Sequence, residues 1–137
     1  MDRVTVLCVD DDPDLVEMTA VLLEAADEQF ETITETDPCA ALDRLEADPI
    51  DCVVSDYEMP GMDGIDLLVA VRDRHPDLPF VLFTGTGSED VASTAAAHGA
   101  TDCLSKGAGS EQYALLADRL TEAVRKQGIH STVSTPS

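Results

Sequence analysis

Basic residues are scarce in this chain: 8 lysines and arginines stand against 28 aspartates and glutamates, for a formal net charge of -20. Because contacts with nucleic-acid phosphates need a basic face, this balance argues against direct binding of nucleic acid. The acidic residues are spread along the chain, which favours a uniformly charged surface over a disordered acidic tail. Such a surface repels itself at low ionic strength, so we predict a halophilic protein from a high-salt cytoplasm; an acidic protein with a basic partner is the alternative.

Long apolar runs are also lacking. No segment approaches the roughly 18 consecutive apolar residues of a membrane span, and the N-terminus does not show the basic-then-apolar order of a signal peptide. We therefore expect a soluble, cytoplasmic protein with no membrane partner. A length of 137 residues suits one domain. We place it at 1–126 and interpret the polar segment 127–137 as a tail or a linker.

The chain has no CxxC spacing, although it contains four cysteines. Cys8, Cys52 and Cys103 fall in predicted strands, and Cys39 falls in a predicted helix. This distribution predicts reduced and mostly buried thiols rather than a disulfide framework.

Apolar runs typical of buried strands recur along the chain, and each is followed by a helical pattern. The runs occupy residues 4–9, 30–34, 51–55, 79–83 and 101–104. Alternating strands and helices at this length imply a parallel sheet covered on both faces, because each crossover is right-handed and returns over the sheet. The predicted fold is a doubly wound α/β sheet of five strands.

Two of the predicted helices begin with an aspartate followed by a proline, at Asp12-Pro13 and Asp37-Pro38. Aspartate caps the first free N–H groups of a helix, and proline suits the first helical position. Helical spacing then predicts the buried face of the first helix: Leu15, Met18, Leu22 and Ala25.

The last two helices are predicted to run from Ser88 and from about Ser110 to Lys126. The apolar positions of the fourth helix are mostly small residues: Val91, Ala92, Ala95, Ala96 and Ala97. We therefore expect the fourth helix to be the most weakly packed.

Polar residues gather at the ends of the predicted strands. Asp10 and Asp11 follow the first strand and Asp56 follows the third, while Thr84 and Lys106 follow the fourth and fifth. Because the carboxyl ends of parallel strands share one edge of a sheet, these side chains should converge there. Clustered carboxylates raise one another's pKa, so a group of this kind is typical of a cation site.

Four segments in order resemble the receiver domain of two-component response regulators, the CheY-like family. They are VLCVDDDPD, VVSDYEMPGMDG, VLFTGTG and CLSKG, each at the end of a strand. The resemblance covers about residues 3–126, and the ordered set is far more specific than any single piece. It implies a flavodoxin-like sheet with strand order 2-1-3-4-5.

The resemblance implies a role for each acidic residue at this edge. Asp56 would accept a phosphoryl group from a histidine kinase. Asp11 would be the direct ligand of a magnesium ion, Asp10 would assist, and the backbone carbonyl of Glu58 would supply a further oxygen.

The resemblance also implies a switch. Thr84 and Lys106 would bind the phosphoryl oxygens and thereby change the surface made by the fourth helix, the fifth strand and the fifth helix. A downstream protein or a covalently linked output domain would read this surface. The chain would be a monomer or a weak dimer, with no more than self-phosphorylation and self-dephosphorylation as its own chemistry, and so no dedicated enzyme.

The sequence departs from the family pattern at two positions. An aromatic residue commonly lies three positions before the lysine, where Cys103 stands here. This leaves open a receiver-shaped scaffold whose output does not depend on phosphorylation. The lysine is commonly followed by a cis proline, whereas Gly107 follows here, and a cis bond to glycine would cost about 2.5–4 kcal/mol, so we predict a trans bond.

A phosphatase of the haloacid-dehalogenase type is a further alternative. Asp10 would be its nucleophile and Asp12 its acid-base, with Thr84 and Lys106 in later motifs. Pro13 beside Asp12, the unexplained MPGMDG segment and the lack of a later acidic motif argue against it.

Overall fold

The computed structural model describes residues 3–85, 89–106 and 111–134, with side chains as far as Lys126. The strands are β1 Val4–Val9, β2 Phe30–Glu35, β3 Cys52–Ser55, β4 Phe80–Thr84 and β5 Asp102–Ser105. The helices are α1 Pro13–Ala26, α2 Pro38–Ala47, α3 Gly64–Arg74, α4 Glu89–Ala97 and α5 Glu111–Ser134. Every predicted strand and helix is therefore present.

The five strands form one parallel sheet in the order β2-β1-β3-β4-β5, as predicted. The order reverses between β1 and β3, and ligands of doubly wound sheets bind at the carboxyl ends of the strands near such a reversal. Backbone pairing continues past the strand ends, since Asp56 N donates to Val9 O at 2.9 Å and Asp10 N donates to Glu35 O at 3.1 Å. The residues that follow β1 and β3 are thus held by the sheet itself.

Both faces of the sheet are buried, which explains why its strands read as continuous apolar runs. Alternation along β1 sends Val6 and Cys8 to the face covered by α1 and α5, and Leu7 and Val9 to the face covered by α2, α3 and α4. All four side chains are fully or almost fully buried.

The predicted helix caps are confirmed. The Asp12 carboxylate accepts hydrogen bonds from Asp14 N at 3.0 Å and Leu15 N at 3.3 Å, and the Asp37 carboxylate accepts one from Cys39 N at 3.0 Å. Each aspartate satisfies N–H groups that have no partner within the helix.

The predicted buried face of α1 is wrong by about one position. The helix buries Val16, Thr19, Ala20 and Leu23, whereas the predicted face was Leu15, Met18, Leu22 and Ala25. Met18 is 44% exposed and Ala25 is exposed, while Leu15 and Leu22 are half-buried. Apolar residues surround much of this helix, so the spacing alone fits two adjacent stripes and cannot tell which one meets the sheet.

The last two helices differ in how firmly they are held. Ala95 is the one fully buried residue of α4 in the described part of the chain, which confirms the expected weak packing. The predicted start residues, Ser88 and Ser110, lie outside the described residues, as does the bond to Gly107. Helix α5 continues eight residues beyond the predicted end at Lys126, and the domain boundary there stays a prediction.

The cysteines are all free, but they are not mostly buried as predicted. Cys8 and Cys52 are buried in the sheet, Cys103 is half-buried on the edge strand β5, and Cys39 is exposed on α2. The prediction is wrong for Cys39 because it lies on the outward side of the first turn of α2. None of the helices in the described residues is long and apolar enough to cross a membrane.

Candidate functional site

Asp10 is a buried carboxylate at the carboxyl end of β1. Its side chain is 6% exposed, and its Oδ1 accepts a hydrogen bond from Asp12 N at 3.0 Å. Burial of a carboxylate is costly unless partners surround it. The three-residue connection from β1 to α1 therefore holds the Asp10 side chain inward, while Asp11 beside it is exposed.

Asp56 lies at the carboxyl end of β3, next to Asp10 across the sheet. The hydroxyl of the preceding Ser55 donates to Asp56 O at 2.8 Å. Gly64 N, at the start of α3, donates to Tyr57 O at 2.8 Å. The backbone on both sides of Asp56 is thus fixed, and its half-buried carboxylate faces the same space as those of Asp10 and Asp11.

The three carboxylates form a group that can hold a cation. One oxygen from each of Asp10, Asp11 and Asp56 lies within 4.8 Å of the other two. Carboxylate oxygens are the ligands that magnesium prefers, and the exposure of Asp11 leaves room for the water molecules that this ion retains. The donor set therefore fits a hard divalent ion.

Lys106 supplies the positive charge of the site. Its Nζ lies 2.8 Å from Asp10 Oδ2 and 3.8 Å from Asp56 Oδ1. Its backbone N donates to Thr84 O at 2.9 Å, which ties the residue after β5 to the end of β4. Thr84 is 1% exposed, and its side chain lies close enough to the Asp56 carboxylate to lower the pKa of that group.

The pKa of Asp56 is raised above its ordinary value. Burial is the largest cause, because it disfavours the charged form, and the neighbouring Asp10 acts in the same direction. Lys106, the N–H of Tyr57 and the Thr84 side chain lower the pKa, but they offset only part of the rise. The carboxylate is thus short of positive charge, which an additional cation would supply.

Two further predicted residues, Glu58 and Asp12, lie near the three carboxylates but are not members of the group. Glu58 borders, with Asp11, an open cavity of about 420 Å³ beside the carboxylates. Asp12 is not a member of the carboxylate group, since its side chain caps α1. Because the Asp12 carboxylate is bound to the start of α1, it is not placed to act as the acid-base residue of the phosphatase alternative.

Sequence reasoning missed the part played by Gly64. A Cβ atom at this position would lie 2.3 Å from Asp56 O and 2.7 Å from Leu82 Cδ1, so only glycine allows α3 to begin this close to β3. The signal was available, because a glycine directly after the capping residue Asp63 is poor for helix formation and needs a reason of this kind.

The model of the response regulator receiver domain family matches residues 6–118. The chain belongs to this family. The predicted family is therefore confirmed: the chain is a two-component response regulator receiver domain, and receiver domains are signalling modules rather than classical enzymes.

Individual relatives and solved structures agree with the family model. The nitrogen assimilation regulatory protein NtrX of Azorhizobium caulinodans is 30% identical over 122 residues, covering 88% of this chain and 26% of that protein. The C4-dicarboxylate transport transcriptional regulatory protein DctD of Rhizobium meliloti is 37% identical over 125 residues, covering 89% and 25%. The crystal structure of the NtrX receiver domain from Brucella abortus is similar with a TM-score of 0.76 and 32% identity, covering 85% and 98%. This receiver thus spans about a quarter of the length of the curated relatives it matches.

Proposed function

We propose that this receiver accepts a phosphoryl group from a histidine kinase on Asp56. The observation that carries the proposal is the convergence of three carboxylates within 4.8 Å, with the ammonium of Lys106 3.8 Å from Asp56. An Asp56 oxygen would attack the phosphorus, forming a P–O bond. The P–N bond of the phosphohistidine would break, and the imidazole would keep the electron pair and take up a proton.

The site would hold magnesium through Asp10, Asp11, Asp56 and the backbone carbonyl of Glu58. When bound, the ion would neutralise the charge of the carboxylates and of the incoming phosphoryl group. Asp11, as the exposed member, would be the direct ligand at the mouth of the site, and the buried Asp10 would support it from below.

Thr84 and Lys106 would bind the phosphoryl oxygens once the group is in place. Both lie at the carboxyl ends of β4 and β5, and the bond from Lys106 N to Thr84 O joins them. A shift of this pair would alter the surface of α4, β5 and α5, which a downstream protein or a linked output domain would read. The matched part of the chain is only about a quarter of the length of the two curated relatives, and both are named regulatory proteins, which supports a linked output domain.

We further propose that the protein works in a high-salt cytoplasm, alone or as a weak dimer. The net charge of -20 supports this, because close carboxylates repel one another less when salt screens them. That the chain itself binds neither nucleic acid nor membrane stays a prediction.

Intact mass tests the acceptor. The wild-type protein, Asp56→Asn and the control Asp43→Asn are incubated with acetyl phosphate and magnesium in high salt. Asp43 is an exposed residue of α2, so the control makes the same change away from the site. One added phosphoryl group on wild type and Asp43→Asn, and none on Asp56→Asn, is expected. A phosphoryl group on Asp56→Asn would favour Asp10 as the acceptor and the phosphatase alternative. No phosphoryl group on any of the three proteins would favour the receiver-shaped scaffold whose output does not depend on phosphorylation.

A further inference from the structure

Strand β5 carries no aromatic residue. Three positions before Lys106, where receivers commonly have an aromatic residue, stands the half-buried thiol of Cys103. The chain has five aromatic residues, three phenylalanines and two tyrosines. Four of them are fixed in the core, each with at most 9% exposure: Phe30, Phe80, Phe83 and Tyr113. Tyr57 is the remaining one, and it is only half-buried.

The backbone of Tyr57 is tied to the site. Its backbone N–H lies close enough to the Asp56 carboxylate to lower the pKa of that group, and its carbonyl accepts a hydrogen bond from Gly64 N at 2.8 Å. Any movement at this position is therefore a rotation of the side chain about a fixed main chain. Tyr57 directly follows Asp56 in the chain, the residue that would be phosphorylated.

The Tyr57 side chain borders two separate cavities. One, of about 420 Å³, is the open space shared with Asp11 and Glu58 beside the carboxylates. The other, of about 240 Å³, lies between the first turns of α3 and α4, and its walls include Asp90 and Val91. The second cavity offers an apolar wall for the ring and carboxylates at its rim that can accept the phenol hydrogen.

Helix α4 is the element that such a ring would push. Of its residues only Ala95 is fully buried, so few contacts hold α4 against the sheet. Val91 and Thr94 face the cavity from α4, while Ile65 faces it from α3. A ring that enters between these side chains separates the two helices, and a ring that leaves lets them close.

We propose that Tyr57 is the aromatic relay of this receiver. A cation bound by Asp11 and the phosphoryl group on the neighbouring Asp56 would crowd the open cavity, and the ring would move into the cavity between α3 and α4, displacing α4. The relay rests on the proposed acceptance of a phosphoryl group on Asp56. It supplies the coupling that Cys103 is too small to provide.

The test uses beryllofluoride with magnesium as the phosphoryl mimic and reads two signals. The first is the ¹⁹F spectrum of protein labelled with 3-fluorotyrosine, where the chain's two tyrosines give two resonances that Tyr57→Phe assigns. The second is the amide spectrum of residues 89–97, with the amides of Asp56 and Lys106 reporting on the site. In wild type, the Tyr57 resonance and the α4 amides are expected to shift together.

The variants separate the relay from the site. In Tyr57→Ala, the Asp56 and Lys106 amides should still respond, while the α4 amides lose most of their shift; Tyr57→Phe should restore it. Ile65→Ala is the matched control, because it enlarges the same cavity without removing the ring, and its α4 shift should remain. A Tyr57 resonance that does not shift in wild type, or a full shift of the α4 amides in Tyr57→Ala, would overturn the proposed relay and leave the proposed acceptor, Asp56, unaffected. No response at Asp56 and Lys106 in wild type would overturn the proposed acceptor and the relay with it.

Discussion

The ammonium of Lys106 is bound to the buried carboxylate of Asp10, at 2.8 Å. Asp10 is also a predicted magnesium ligand, so the protein's own cation occupies an oxygen at the place where a metal ion would bind. An ammonium and a divalent ion compete for the same negative charge. Metal binding would therefore release Lys106 and make it available to a phosphoryl group.

Lys106→Met should bind magnesium more tightly than the wild type. Two unit charges about 4 Å apart interact by about 1–4 kcal/mol at effective dielectric constants between those of water and a protein surface. Removal of the competing ammonium should thus raise the affinity by roughly tenfold. Isothermal titration with magnesium measures this. Lys126→Met is the control, since Lys126 is the only other lysine and is exposed on α5. Equal affinities for Lys106→Met and wild type would show that the ammonium does not compete.

Gly64→Ala should destabilise the protein and disturb Asp56. The added Cβ would lie 2.3 Å from Asp56 O, a backbone atom that cannot move without shifting β3. Overpacking of this kind costs about 1–3 kcal/mol. Urea unfolding measures the loss. Gly85→Ala is the control, because nothing lies within 4 Å of its added Cβ. A loss of similar size in both variants would contradict the steric argument.

The protein should become less stable as the pH rises above about 9. Burial raises the pKa of Cys8 from 9.0 to about 12, so the folded protein keeps this proton while the unfolded chain releases it. The contribution is present below pH 9 and is lost between pH 9 and 12, by about 1.4 kcal/mol per pH unit.

Urea unfolding from pH 8 to 11 compares the wild type with Cys8→Ala and with Cys39→Ala. Cys39→Ala is the control for the loss of an exposed thiol, while Cys8→Ala should make the dependence of stability on pH shallower. Parallel slopes for wild type and Cys8→Ala would mean that Cys8 does not titrate on unfolding.

Raising the potassium chloride concentration should raise the unfolding temperature. The Debye length falls from about 10 Å at 0.1 M to about 3 Å at 1 M, which screens repulsion within a chain of net charge -20. Differential scanning calorimetry across this range measures the effect, and sucrose at matched osmolality is the control for exclusion of solutes from the surface. An unfolding temperature that stays flat or falls with salt would argue against a high-salt habitat.

The sequence predicts the positions of Asp10, Asp56, Thr84 and Lys106 well because each follows an apolar run, and parallel strands bring their carboxyl ends to one edge. It predicts the side of α1 poorly. Val16 and Met18 are both apolar, and only the packing of the finished sheet decides that the first is buried and the second exposed.

The cavity between α3 and α4 that Tyr57 borders could not be predicted from the sequence, for a different reason. The cavity beside it is bounded by α3 and α4, whose separation depends on helix packing rather than on any local pattern. In the same way, the exposure of Cys39 follows from the orientation of α2 and not from its apolar neighbours.

The location of the site across the sheet divides it into two halves with different tolerance to mutation. Asp10 and Asp56 follow β1 and β3, which are central strands, and every residue of β3 is buried. Lys106 follows β5, an edge strand with no fully buried residue. Changes around β5 can therefore accumulate more readily than changes around the three carboxylates, so a lineage could alter the surface that the receiver presents to a partner while it keeps the carboxylate group.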